Sequence, residues 1–120
     1  MKPVLSVLLI EDDPNVRLGC EQAMQLAGIP VIAVASAEEG QRQLDADFAG
    51  IVVTDMRLPG MDGMALLRWV NQLTPDLPVI IITGHGDVTL AVEAMRSGAY
   101  DFMQKPFSTH DLVEVVRRAL

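Results

Sequence analysis

The sequence predicts an α/β domain in which a parallel sheet is covered on both faces by helices. Short, near-continuous apolar runs recur at residues 7–10, 31–34, 51–53, 79–82 and, more weakly, 100–103. Between them lie longer segments with helical periodicity, so strand and helix alternate five times. Strands that read as unbroken apolar runs, without in-and-out alternation, belong to sheets buried on both sides, and such alternation builds parallel sheets through right-handed crossovers.

Each element carries its own signals. The first apolar run ends abruptly at Glu11-Asp12-Asp13, far too early for a signal peptide despite Met1 and Lys2 ahead of it, and reads as a buried strand. The first helix is expected over residues 14–27: Asp13 caps it, Pro14 suits its first position and Gly28 ends it. Its apolar stripe is Val16, Cys20, Met24 and Ala27, which makes Cys20 a buried structural thiol. Ser36 caps a second helix from Ala37 to about Leu44. The third starts near Asp62-Gly63, carries Leu66, Leu67, Val70 and Leu73, and stops before Pro75. The fourth covers Val88 to Arg96 and ends at Gly98. The fifth begins at Ser108 or Thr109, where Ser108-x-x-Asp111 resembles a capping box, and keeps helical character to Leu120.

Composition narrows the function. A chain of 120 residues that is half hydrophobic fits one compact domain. Its formal charge of −7, from 16 acidic and 9 basic residues, disfavours direct contact with nucleic acid or an anionic membrane. A metal cation or a basic protein surface is the better partner. One cysteine excludes an internal disulfide and suits a reducing compartment, so a cytoplasmic location is expected. No apolar stretch approaches the roughly 20 residues that a membrane helix needs.

In sheets of this kind the site lies at the carboxyl ends of the strands, beside the point where strand order reverses. Those ends are polar here: Glu11 and Asp12 come at the end of the first strand, the third ends in Asp55, the fourth in Thr83, and the fifth leads to Lys105-Pro106. Carboxylates gathered in one crevice repel one another, so either their pKa values rise or a divalent cation offsets them. Oxygen ligands favour Mg²⁺, and two scattered histidines with one cysteine argue against zinc. Such a cation would also neutralise an incoming phosphoryl group, with Lys105 as a second positive charge and Asp55 as nucleophile.

Four strings strongly resemble response-regulator receiver domains: Leu9-Ile10-Glu11-Asp12-Asp13, the run 54–63 from Thr54-Asp55 through Pro59-Gly60-Met61-Asp62-Gly63, Ile82-Thr83-Gly84-His85-Gly86-Asp87, and the run 98–107 ending Lys105-Pro106-Phe107. The resemblance spans essentially the whole chain. Within the family, the run 49–55, the Gly-His-Gly-Asp string and Ala99-Tyr100-Asp101-Phe102 are most similar to regulators of C4-dicarboxylate transport that act with sigma-54 polymerase. Nitrogen-fixation regulators of another output class carry a similar Gly-His-Gly-Asp string.

The resemblance implies a flavodoxin-like (βα)5 fold with strand order 2-1-3-4-5, and a receiver domain over residues 1–120 that forms the N-terminal part of a longer regulator. It makes Asp55 the phosphorylation site, with a sensor histidine kinase as donor. It implies direct Mg²⁺ contacts from Asp12, Asp55 and the Arg57 backbone carbonyl, with Glu11 acting through water. Asp13 is left to cap the first helix. Thr83 and Lys105 would hold the phosphoryl group, and the Lys105-Pro106 peptide is expected to be cis. Movement of Thr83 would let Phe102 turn inward and remodel the face formed by the fourth helix, fifth strand and fifth helix, through which a homodimer is expected. The family often has tyrosine at the place of Phe102; without the hydroxyl an outward rotamer has less to hold it, and a core phenylalanine that never moves is the alternative. His85 reads as an exposed loop histidine rather than a donor or dimer contact, Trp69 as core, and Arg117-Arg118 as a solvated face able to bridge to a partner.

Three rival readings meet specific obstacles. A phosphatase of the haloacid-dehalogenase type needs a second aspartate two places after the nucleophile, where Arg57 stands, and the domain lacks a cap. A flavodoxin-like electron carrier would find its flavin phosphate repelled by Glu11-Asp12-Asp13. A phosphorylation-independent interaction module would have no use for the complete set of acidic residues, Thr83 and Lys105. The chain is therefore expected to be no enzyme in the ordinary sense, catalysing only its own Mg²⁺-dependent phosphorylation and dephosphorylation.

Overall fold

The computed structural model describes residues 4–84 and 86–120. The elements follow as β1 (Ser6–Ile10), α1 (Pro14–Leu26), β2 (Val31–Val34), α2 (Ala37–Gln43), β3 (Gly50–Asp55), α3 (Gly63–Leu73), β4 (Val79–Thr83), α4 (Val88–Arg96), β5 (Asp101–Gln104) and α5 (Thr109–Ala119). All strand pairs are parallel and the order is β2-β1-β3-β4-β5, as the resemblance implied. The polar strand ends fall where the sequence puts them, β3 closing on Asp55 and β4 on Thr83, in register with Ile82 and Gln104 of the neighbouring strands, while β5 runs one residue later than its apolar run.

The period-2 geometry of a strand divides the core between the two faces of the sheet. Leu8, Ile10, Val52, Val79 and Ile81 face Ala37 of α2, Leu66, Leu67 and Val70 of α3 and Ala94 of α4. Val7, Leu9, Ile51, Val53, Ile80 and Ile82 face Cys20 and Met24 of α1 and Leu112, Val115 and Val116 of α5. The stripe expected for α1 is the one that packs: Cys20 and Met24 are buried, and Val16 and Ala27 pack at the margin of the same cluster. Trp69 is partly buried against the other cluster.

The helix starts are set by short side chains that accept amide hydrogen bonds. Asp13 Oδ1 accepts from the Asn15 and Val16 amides at 2.9 and 3.3 Å. Ser36 accepts from Glu39, Asp62 from Ala65, and Ser108 from Asp111. At the other end of α1, Gly28 takes φ +76°, the left-handed conformation that lets the chain leave the helix at little steric cost. α5 is helical to Ala119, with the Leu120 amide bonded to the Val116 carbonyl. Among the described residues no helix is long and apolar enough to cross a membrane.

This topology fixes where a site can form. The chain leaves β1 to β2 on one side and returns to β3 on the other, so the loops after β1 and β3 diverge and open a crevice at their carboxyl ends.

Candidate functional site

The expected residues converge in that crevice. Glu11 follows β1 with 1 % of its surface exposed, Asp55 closes β3 at 6 %, and Thr83 closes β4 at 2 %. Asp12 sits at the solvent side of the same group, and carboxylate oxygens of Glu11, Asp12 and Asp55 lie within 4.8 Å of one another. Lys105, just past β5, reaches across: its Nζ stands 2.7 Å from Glu11 Oε1 and 2.7 Å from Asp55 Oδ2. The other Asp55 oxygen, Oδ1, accepts the Arg57 amide at 3.2 Å. Among the described residues every buried side-chain polar atom has a hydrogen-bond partner, so the cluster is satisfied as it stands.

Local structure brings each group to its place. Asp13, adjacent to the acidic pair, turns away to cap α1, and the Arg17 guanidinium donates to the Glu11 carbonyl at 2.9 Å. The β3–α3 loop is folded back by the Gly63 amide, which donates to the Met56 carbonyl at 2.9 Å. Gly63 has to be glycine here, because a Cβ would lie 2.5 Å from the Asp55 carbonyl oxygen and 2.8 Å from Met56 Cα. Glu38 of α2 steadies the same loop by accepting the Met61 amide at 3.1 Å. The cleft beside the acidic group, about 440 Å³, is lined by Asp12, Met56, Arg57, Leu58, Pro59 and Met64, among others.

Burial governs the electrostatics. Desolvation pushes the Glu11 carboxyl up to about 7; the Lys105 ammonium opposes this, and the Asp55 carboxylate adds to it. For Lys105 burial acts to lower the pKa, but hydrogen bonds and charge from Asp55 and Glu11 outweigh it and hold the ammonium above its usual range. Burial likewise raises the Cys20 thiol, in keeping with a structural cysteine.

The remaining expectations divide. The Lys105-Pro106 peptide is cis. Thr83 Oγ1 points to the Met103 carbonyl at 3.4 Å, and Phe102 is 42 % exposed on β5. Arg117 is more than a solvated residue: it donates to the Ala27 carbonyl at 3.0 Å, at the C-terminal end of α1 where a cation is favoured. His85 lies outside the described residues. One contact escaped the sequence reading. Asp87, noted there only within a string, forms a two-pronged ion pair with the Arg57 guanidinium, Nε to Oδ2 at 3.0 Å and NH2 to Oδ1 at 2.8 Å. The only sequence cue was an acidic residue directly before α4, which reads as a cap and not as a partner for a residue 30 positions away.

A doubly wound sheet with an acidic crevice and a crossing lysine at its carboxyl edge defines a class of signalling modules. The model for the response regulator receiver domain matches residues 7–117, and the chain belongs to that family. It is 52 % identical over 119 residues to the C4-dicarboxylate transport transcriptional regulatory protein DctD of Rhizobium meliloti, covering 99 % of this chain and 26 % of that protein. It is 54 % identical over 118 residues to DctD of Pseudomonas aeruginosa, covering 95 % and 25 %. The chain thus spans about a quarter of the length of these curated relatives. Among solved structures, the receiver domain of NtrX from Brucella abortus superposes with a TM-score of 0.90 at 33 % identity, covering 96 % of this chain and 98 % of that one. Receiver domains bind Mg²⁺ at an acidic pocket, and the all-oxygen donor set of Glu11, Asp12 and Asp55 suits that hard cation.

Proposed function

We propose that this domain accepts a phosphoryl group from a sensor histidine kinase on Asp55, with Mg²⁺ held by Asp12, Asp55 and the Arg57 backbone carbonyl and with Glu11 acting through a water. The observation that carries the reading is the placement of the Asp55 carboxylate, nearly buried, between Lys105 and the carboxylates of Glu11 and Asp12. Bound there, Mg²⁺ supplies positive charge against the oxygens of the transferring group.

The residues of the chain account for the rest. An Asp55 oxygen attacks phosphorus, the bond from phosphorus to the donor nitrogen breaks, and an aspartyl phosphate forms while the donor histidine leaves. Hydrolysis later returns the carboxylate and releases inorganic phosphate. Lys105, freed from Asp55, pairs with the new phosphoryl oxygens, and Thr83 donates its hydroxyl to them. The space that Thr83 leaves lets Phe102 turn in, which remodels the face of α4, β5 and α5 that joins two copies in a homodimer. Exposed Val88, Val92, Met95, Tyr100 and Phe102 on that face support this. By likeness to DctD, the domain is the N-terminal part of a transcriptional regulator working with sigma-54 polymerase, in the cytoplasm.

The phosphatase reading is less well supported, because Arg57 stands where a second acid is needed and its side chain is engaged by Asp87. Incubation with acetyl phosphate and Mg²⁺ is expected to add one hydroxylamine-labile phosphoryl group to the chain and none to Asp55→Asn. Equal labelling of that variant would refute the assignment. Multiple turnovers on added phosphomonoesters would favour the phosphatase.

A further inference from the structure

α4 is lightly held. It buries only Ala91 and Ala94, much as α1 buries only Cys20 and Met24 and α2 only Ala37 and Gly40, whereas α3 buries Met64, Leu66, Leu67 and Val70 and α5 buries Leu112, Val115 and Val116. The other four helices begin with a side chain that caps their amides; α4 begins with Asp87, a residue well able to cap, whose carboxylate makes no such bond. That carboxylate, 12 % exposed, is held by the Arg57 guanidinium instead. The middle and end of α4 are tied to α3 by Arg68–Glu93 at 3.3 Å and by Asn71 Nδ2 to the Ser97 carbonyl at 2.6 Å. At its entrance the tie is Arg57–Asp87, and Arg57 also touches the acceptor, through its amide on Asp55 Oδ1.

We infer that Asp87 is a two-position switch: it pairs with Arg57 while Asp55 is a plain carboxylate, and it caps α4 at the Thr89 and Leu90 amides once a group on Asp55 draws Arg57 away. The second half rests on the phosphoacceptor reading. A phosphoryl group brings close to two negative charges and oxygens that suit the two-pronged guanidinium, two residues along the chain from Arg57. An Asp87 carboxylate that loses Arg57 lies beside the first-turn amides of α4, which it does not cap in this structure, so its charge is satisfied in either position. Two arrangements that each satisfy the same carboxylate are what a bistable element requires. Asp87 is thus a positioning residue that links the acceptor loop to the first turn of α4, without touching the reacting atoms.

Amide hydrogen exchange on the 120-residue chain tests both halves. Without any phosphoryl donor, Arg57→Gln releases Asp87, and the Thr89 and Leu90 amides are expected to exchange about fivefold more slowly than in the unaltered chain. Asp87→Asn, able to cap but not to form the ion pair, should slow them similarly, and Asp87→Ala should not. Exchange in Arg57→Gln and Asp87→Asn within twofold of the unaltered chain overturns the switch. Beryllofluoride with Mg²⁺, standing in for the phosphoryl group, should give the unaltered chain the protection seen in Arg57→Gln. If beryllofluoride shifts the Asp55 resonances but leaves Thr89 and Leu90 unprotected, the handover is wrong while the acceptor reading stands. If the Asp55 resonances do not respond, the acceptor reading fails and takes the handover with it, whatever Arg57→Gln does.

Discussion

Lys105 Nζ lies 2.7 Å from Asp55 Oδ2, joining two strand ends that are 50 positions apart in the chain. The same ammonium lies equally close to Glu11, so one lysine holds together two carboxylates that would otherwise repel. It therefore occupies, in electrostatic terms, part of the role that a divalent cation fills at such a cluster.

Lys105→Met should expose that repulsion. With the ammonium gone, the metal-free protein is expected to lose about 1–2 kcal/mol, less than for a fully buried pair because the lysine is partly solvated. Mg²⁺ should recover more stability in the variant than in the unaltered chain, since no lysine then competes for the carboxylates. Urea unfolding with and without Mg²⁺ measures both, and an equal response to the ion would contradict the competition.

Glu11 makes cation binding depend on pH. Its carboxyl titrates at about 7 in the folded chain, against 4.5 for the ordinary group, because burial favours the neutral form. The folded state therefore holds an extra proton in this window, and the stability that the proton brings is complete below about 4.5 and lost as pH rises through about 7. A cation must displace the same proton, so Mg²⁺ affinity should fall by up to about tenfold per pH unit below 7. Calorimetric titration at pH 6 and pH 8 checks this. In Glu11→Gln the slope should flatten.

Gly63→Ala should damage the site through the backbone. The added Cβ meets the Asp55 carbonyl and Met56 Cα, atoms that cannot move without shifting the end of β3. A loss of about 1–3 kcal/mol is expected, with weakened Mg²⁺ binding even at temperatures where the variant remains folded. Binding unchanged in the folded variant would show that the loop relaxes elsewhere.

Thr83→Ala should separate folding from switching. The hydroxyl makes one long hydrogen bond to the Met103 carbonyl, so its removal is expected to cost no more than about 1 kcal/mol. Beryllofluoride should bind the variant, yet the resonance shift at Phe102 should disappear. A shift as large as in the unaltered chain would mean that Phe102 moves independently of Thr83.

The architecture was legible because its causes are local. Apolar runs such as residues 79–82 and capping residues such as Asp13, Ser36 and Ser108 act within a few positions of themselves, and they placed the elements to within about two residues at each end. The polar strand ends were legible for a related reason: residues such as Thr54 and Asp55 stand out against the apolar strand that carries them, and parallel order puts all such ends on one edge. The separation of Asp12 from Asp13 followed from Pro14, which marks the first helical position.

Which polar groups pair across that edge was not written in any local pattern. Lys105 and Glu11 meet over 94 positions, and Arg57 and Asp87 over 30. Asp87 shows the difference most clearly, since its place directly before α4 suits a cap and in the folded chain its carboxylate is the partner of Arg57. Periodicity and capping are properties of neighbours along the chain and so are readable from it. The choice between a helix amide and a guanidinium as partner turns on ångström distances between loops, and packing of the whole sheet sets those distances.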